Sequence, residues 1–249
     1  MNLTEQIKET IELLKGTDIN GCITGSSMLD ADFDMWESHP DVDVFVFAEP
    51  QLLDSVNLLM YKHGFEPATK GEAWKIDRIR NRGMKKNASL QTVKLKHGDV
   101  VVNITWKYGK TTMASVLASF DMSIIMIGWD IRHGFGMDLR TRTGSIMDPE
   151  GKWSDDPRVA VPNPLRDQDV DMYGTEMWVR QFDRVIKYWN RGYDTRKMAR
   201  FYIELIERVI SNGQLFASET ATNAFQEFVD VYEPLRDKMV EWLKDKEDC

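Results

Sequence analysis

The chain has 249 residues, 42% of them hydrophobic, which is enough to bury a core in one large domain or two small ones. Its two cysteines, Cys22 and Cys249, are too far apart in sequence to indicate a disulfide framework or a cysteine zinc site. No apolar run approaches the roughly 18 residues of a membrane helix, and the first residues lack signal-peptide features, so we expect a cytoplasmic protein with no membrane partner.

Charge is unevenly distributed along the chain. The formal net charge is -8, yet residues 75–96 contain eight basic residues and one acidic residue, Asp77. Such a local basic region can hold a phosphate chain even in an acidic protein. Arg78, Arg80 and Arg82 alternate, so on a strand they would share one face. That face would bind RNA, DNA or a triphosphate, or would be a solvated edge strand.

The first half of the chain alternates helical and extended patterns. Helical spacing of apolar residues predicts helices at 2–15, from Pro50 to Gly64, and near 111–118. Alternating or continuous apolar segments predict strands at 21–24, 41–48, 90–96, 100–106 and 121–129. This order predicts an α/β (α+β) fold with a mixed β-sheet and helices on one side.

The second half of the chain differs in composition and in its apolar pattern. Four prolines and many aspartates between residues 143 and 171 predict a long irregular connection. The segments beyond it have helical patterns at 174–191, 195–211, 219–232 and 234–246. The sequence therefore predicts an α/β domain over 1–145, a linker over 146–172 and an α-helical domain over 173–249.

Two carboxylates lie close together on a predicted strand. Asp41 and Asp43 are separated by one valine, so both side chains project from the same face. Neighbouring carboxylates repel unless a cation lies between them, and hard oxygen ligands favour Mg²⁺. One or two such ions can hold the phosphates of a nucleoside triphosphate while activating a hydroxyl. The alternative is a pair of exposed surface acids with no ligand.

A glycine–serine turn precedes this strand. Gly25, Ser26 and Ser27 directly follow the predicted strand 21–24. Glycine allows positive φ and close approach of the backbone to a ligand. Backbone N–H groups and the two hydroxyls could then bind phosphate oxygens.

The apolar strand entering the Gly25–Ser27 turn, the spacer, and the strand carrying Asp41 and Asp43 resemble the polymerase-β-like nucleotidyltransferase superfamily. The resemblance covers 19–48 by motif and 49–130 only by the order of strands and helices. It implies a Mg²⁺-dependent enzyme that moves an NMP from an NTP, with ATP favoured, to a hydroxyl. That hydroxyl would belong to an RNA end, a protein or a small molecule. The sequence predicts no oligomeric state.

The family also has a third carboxylate on a later strand, which helps bind metal and can act as a base. In the strand 100–106 that position is Asn103, whose amide can coordinate a metal but cannot accept a proton. Asp121 is the favoured alternative as third metal ligand and catalytic residue, and Asp99 is a further one. If none fits, we expect a non-catalytic binding module, such as an antitoxin, inhibitor or nucleic-acid adaptor. An unrelated α/β protein with an incidental acidic strand is a third possibility.

Four cations follow one face of the predicted helix 174–191. At about 100° per residue they span an arc of about 60°, opposite an aromatic-rich face. The four are Arg180, Arg184, Lys187 and Arg191. In the resembling family the helical domain closes over the nucleotide, so we expect these residues to bind phosphate, with Arg184 and Lys187 neutralising the leaving pyrophosphate. A solvated face is the alternative.

Overall fold

The chain divides into two compact units. The structure, a computed structural model, describes residues 3–29, 41–84, 89–141, 154–163, 182–213 and 219–247. The first unit comprises Met1–Phe120 and Ile125–Arg140, and the second comprises Asp121–Ile124 and Thr141–Cys249. The linker predicted at 146–172 lies mostly outside the described residues. Asp121–Ile124, assigned by the sequence to the first domain, belongs to the second unit.

The first unit is built on a mixed sheet, as predicted, with seven strands in the described residues. They are β1 (Gly21–Thr24), β2 (Asp41–Val46), β3 (Glu66–Pro67), β4 (Leu90–His97), β5 (Val100–Lys107), β6 (Ile127–Asp130) and β7 (Phe135–Asp138). The strand order is β3-β4-β5-β2-β1-β6-β7. β2 and β5 are parallel, and the other neighbouring strands are antiparallel.

Seven α-helices lie in the described parts of the chain. They are α1 (Leu3–Lys15), α2 (Glu49–His63), α3 (Lys70–Arg82), α4 (Met113–Leu117), α5 (Phe182–Trp189), α6 (Arg196–Gly213) and α7 (Glu219–Glu247). Pro50 lies in the first turn of α2, and Gly64 ends that helix with a φ of 71°, as the sequence predicts. None of the described helices is long and apolar enough to cross a bilayer.

Alternation along the strands determines where the first unit is buried. Val42, Val44 and Val46 of β2 lie in a large core with apolar residues of α1, α2 and α3. In β1, Ile23 joins this core, whereas Cys22 points to the other face and packs against α4. The sheet therefore carries one continuous core on the first face and a smaller cluster on part of the second. The prediction of helices on one side only is wrong, because α4 packs on the second face.

The prediction that the arginines of the basic segment share a strand face is wrong, because residues 70–82 form α3. The Thr69 hydroxyl accepts a hydrogen bond from the Glu72 backbone at 3.2 Å and starts the helix. Ile76 and Ile79 are buried and determine how the helix is rotated. At 100° per residue, Arg78 and Arg82 lie on one side of α3 and Arg80 on another.

The predicted strand 121–129 is also wrong over its first half. Met122 forms an isolated bridge with Pro162, residues Ser123–Ile125 form a 3₁₀ turn, and β6 begins at Ile127. The turn is held because the Ser123 backbone N–H donates to the Val161 carbonyl at 2.9 Å and the Ser123 hydroxyl accepts from the Val161 N–H at 3.0 Å. A continuous apolar run shows no period that distinguishes these conformations from a strand.

The second unit is helical in most of its described residues. Trp242 of α7 makes edge-on ring contacts with Phe182 and Trp189 of α5, at centroid distances of 6.2 and 5.6 Å. The predicted helices 219–232 and 234–246 form a single helix, since α7 continues through Pro234. A proline removes one helical hydrogen bond. Burial of α7 side chains on both sides of Pro234 offsets that loss.

Candidate functional site

Asp41 and Asp43 lie on the face of β2 opposite the large core. Both are half-buried, while the alternating valines between and after them are fully buried. The prediction that Asp41 and Asp43 share one face of the strand is therefore confirmed. Parallel pairing places Asp43 directly beside Asn103 of β5.

Asn103 connects the two carboxylates. Its Nδ2 donates to Asp41 Oδ2 at 3.1 Å and to Asp43 Oδ1 at 3.0 Å. The two amide hydrogens carry partial positive charge, so they reduce the repulsion between the acids. Asn103 is only 7% exposed, and its Oδ1 is buried without a hydrogen-bond partner among the described residues. A buried unpaired carbonyl oxygen is costly, and it marks a position where a ligand would be favourable.

Gly25 packs directly against Asp43. Its φ is 75°, and a Cβ atom at this position would lie 2.7 Å from Asp43 Oδ2. Glycine is therefore required here twice, by conformation and by space. The turn continues as a 3₁₀ helix, Gly25–Met28, in which Ser26 and Ser27 are buried. The Ser27 hydroxyl donates to the Thr24 carbonyl at 3.0 Å, so it helps hold the turn; phosphate binding by the two serines stays a prediction.

A row of paired residues crosses the sheet at Asp43. Lys94, Asn103, Asp43 and Thr24 are direct neighbours on β4, β5, β2 and β1. Directly paired residues project to the same face. Lys94 is exposed, and it is the cation that lies next to Asn103 on this face. The sequence placed Lys94 only in a general basic segment, although the two-residue turn at Gly98 and Asp99 already determines its pairing with Asn103.

Asp99, one of the alternatives for the third carboxylate, lies exposed in that hairpin turn. β5 starts at Val100, and Asp41 pairs with Val101, so Asp99 lies beyond the paired part of β2. In the part of the chain that the structure describes, no group of three or more His, Cys, Asp or Glu side chains is placed to hold a metal ion. On the β2 face, the neighbour of the two acids is the Asn103 amide.

Asp121, the favoured third carboxylate, forms an ion pair within the second unit. Arg184 Nη1 lies 2.7 Å from both Asp121 carboxylate oxygens, and the Tyr202 hydroxyl donates to Oδ2 at 3.3 Å. Burial alone would lower the pKa of Arg184. The Asp121 charge, its hydrogen bond to Arg184 and the nearby Tyr188 and Tyr202 together outweigh burial and raise that pKa above its ordinary value. The catalytic and metal roles assigned to Asp121 stay predictions.

The predicted cation row is arranged around a buried ring. Arg184, Lys187 and Arg191 each lie 5.8–6.0 Å from the centre of the Tyr188 ring, and Tyr188 is 3% exposed. Arg191 is itself buried and follows the end of α5. Arg180 lies outside the described residues. This packing stabilises the second unit, and phosphate binding by these four cations stays a prediction.

Comparison of the sequence with protein-family models gives no match, and comparison with curated proteins gives no significant relative.

Proposed function

We propose that the first unit is a polymerase-β-like nucleotidyltransferase domain that binds an NTP, with ATP favoured, together with Mg²⁺ on the Asp41–Asp43 face. The observation that carries this proposal is the contact between Gly25 and Asp43. It brings a turn with positive φ against a carboxylate that has a second carboxylate two residues away on the same strand face. Backbone close to carboxylates is the arrangement needed to hold phosphates and a divalent ion together.

The residues present fit a magnesium ion. Asp41 and Asp43 would supply hard carboxylate oxygens. The Asn103 amide faces them with its Nδ2, while its oxygen is buried and unpaired. Exchanging the positions of the amide nitrogen and oxygen would turn that oxygen towards the acids. Bound Mg²⁺ would supply charge neutralisation at the phosphates and polarise the attacking hydroxyl.

The protein's own residues would then orient the reactants. In the proposed reaction the acceptor hydroxyl oxygen forms a bond to the α-phosphorus, and the bond to the β-phosphate oxygen breaks, releasing pyrophosphate. The hydroxyl proton goes to Asp41, Asp43 or water, because the Asn103 amide cannot accept it. Lys94 pairs with Asn103 on the same face and would offer a positive charge to a phosphate. Use of ATP is in keeping with a cytoplasmic location.

A second candidate is a non-catalytic nucleotide-binding module of the same fold that acts through a protein or nucleic-acid partner. Asn103 favours it, because the position beside the acid pair carries no carboxylate to act as a base. In this case the site binds nucleotide and Mg²⁺ without transfer.

Both candidates are tested with α-³²P-labelled NTPs, Mg²⁺ and cellular RNA or protein as acceptors. The nucleotidyltransferase proposal expects label on one acceptor class and no transfer from γ-labelled NTP. It also expects loss of transfer in Asp43→Asn, a variant that keeps the side-chain shape. The binding module predicts Mg²⁺-dependent ATP binding that Asp43→Asn abolishes, with no label transfer. Absence of both Asp43-dependent results would show that the site assignment is wrong.

A further inference from the structure

A cationic and aromatic surface lies on α2 and α3. Between residues 61 and 84 there are six lysines and arginines and three acids, in a chain whose net charge is -8. The three acids form ion pairs: Glu66 with Lys96, Glu72 with Lys75, and Asp77 with Arg80. Among the described residues, Lys70, Arg78 and Arg82 form no ion pair, so their charge is not compensated locally.

These three cations and Trp74 are aligned along one side of α3. Lys70, Trp74, Arg78 and Arg82 follow each other at intervals of four residues, on the side away from buried Ile76 and Ile79. We call this set the α3 stripe. It runs for about 18 Å at 1.5 Å per residue. Asp77, which pairs with Arg80, lies at its border.

Two large aromatic side chains of α2 and α3 are exposed, each accompanied by an arginine, and the two pairs lie on different sides of α3. Trp74 is 66% exposed, with the Arg78 guanidinium 5.7 Å from its ring centre. Tyr61 of α2 is 72% exposed, with the Arg80 guanidinium 5.7 Å from its ring centre. An exposed tryptophan keeps a large apolar area in water, so a partner that covers its ring gains free energy.

An aromatic ring beside an arginine can contact a single-stranded nucleic acid in two ways, through its bases and through its phosphates. Unpaired bases stack on exposed rings, while the phosphates between them lie near the guanidinium groups. A duplex hides the faces of its bases and would use only the charges. An acidic peptide would likewise leave the rings largely unused. The combination favours single-stranded nucleic acid.

We propose that the α3 stripe binds single-stranded RNA or DNA. Stacking on Trp74 supplies much of the affinity, and Arg78 and Arg82 bind phosphates. The proposal stands independently of nucleotidyl transfer, because all of its residues lie on helices that cover the core face of the sheet, opposite the face of Asp41 and Asp43.

The test is fluorescence anisotropy of labelled 12-nucleotide single strands and the matching duplex, with EDTA and no NTP. We expect the wild type to prefer the single strand. Trp74→Ala should weaken binding about 5- to 100-fold. Arg78→Ala and Arg82→Ala should each lower the slope of log affinity against log salt by about 0.7.

The matched controls are Arg132→Ala and Phe135→Ala, an exposed arginine and a partly exposed aromatic near the β6–β7 turn. They remove the same kinds of group at the other edge of the sheet and should bind like wild type. Circular dichroism verifies that each variant is folded. The proposal is overturned if Trp74→Ala binds like wild type, if duplex binds as well as single strand, or if polyglutamate competes as effectively as the oligonucleotide.

Discussion

Gly25 and Asp43 are in contact so close that no other residue type fits at the glycine: a Cβ there would lie 2.7 Å from Asp43 Oδ2. The turn and the carboxylate therefore constrain each other. A larger residue at Gly25 must displace the acid, the turn or both, and either shift would change any site formed by the Asp41–Asp43 face.

Gly25→Ala should weaken Mn²⁺ binding at the site by at least about tenfold and lower the unfolding free energy by about 1–3 kcal/mol. Mn²⁺ titration by electron paramagnetic resonance and urea unfolding measure the two effects. The matched control is Gly64→Ala, since Gly64 has a similar φ of 71° but nothing within 4 Å of its added Cβ. Equal effects of both variants on Mn²⁺ would show that the contact with Asp43 is unimportant.

Asn103→Asp should strengthen Mn²⁺ binding about tenfold, because it places a third carboxylate beside Asp41 and Asp43. Without metal the same variant should melt at a lower temperature, since the amide hydrogens that link the acids are replaced by a like charge. Thermal unfolding with and without Mg²⁺ measures this difference.

Asn103→Ala is the control for that experiment, because it removes the amide without adding charge. It should not gain metal affinity. If Asn103→Asp binds Mn²⁺ no better than wild type, the position beside Asp43 is not a metal position.

Lys94→Ala should weaken Mg²⁺–ATP binding about 3- to 30-fold with little change in stability, because Lys94 is exposed and lies in register with Asn103. Isothermal titration calorimetry measures the affinity. Lys62→Ala removes an equal charge from α2, which packs on the core face, and should leave ATP binding unchanged. Identical losses in both variants would indicate a general charge effect instead of a phosphate contact.

Asp121→Asn should lower the stability of the second unit by about 2–4 kcal/mol, because it leaves the Arg184 guanidinium without its charged partner. Urea unfolding followed by tryptophan fluorescence measures this loss. Asp194→Asn breaks a more exposed pair, with Arg196, and should cost less than about 1 kcal/mol. Adding Arg184→Met to Asp121→Asn should recover part of the loss, and an additive loss would show that the two residues are not coupled.

Cys22 should resist thiol reagents in the native protein. Burial, with a smaller contribution from Asp130, raises the pKa of its thiol, so the reactive thiolate is disfavoured at pH 8. In a Cys249→Ser background, reaction with a disulfide reagent should be at least about 100-fold slower than for a free cysteine and should become fast in urea. Rapid native labelling would mean that the α4 side of the sheet opens readily.

The sequence was most informative where its pattern had a single period. The alternation of valines with Asp41 and Asp43 correctly predicted β2 and the shared face of the acids. The prediction for residues 70–82 was wrong because alternating arginines also fit the two-residue period of a strand. Thr69 and Glu72, however, have the spacing of a helix-capping pair.

Contacts between residues distant in sequence could not be predicted from local sequence patterns. Asp121 and Arg184 are 63 positions apart, and nothing in either local pattern indicates that they pair. The position of Asn103 beside Asp43 was anticipated only through the resemblance to a family. Its hydrogen bonds to both acids depend on a sheet register that the separate strands do not specify.

The position of β5 between β2 and β4 has a kinetic consequence. β4 and β5 are joined by a two-residue turn and can pair early. β2 can pair with β1, but its parallel partner β5 lies more than 50 residues further along the chain. Until that hairpin docks, Asp41 and Asp43 lack the amide that lies between them. We therefore expect docking of the hairpin onto β2 to be the slow step in forming the first unit.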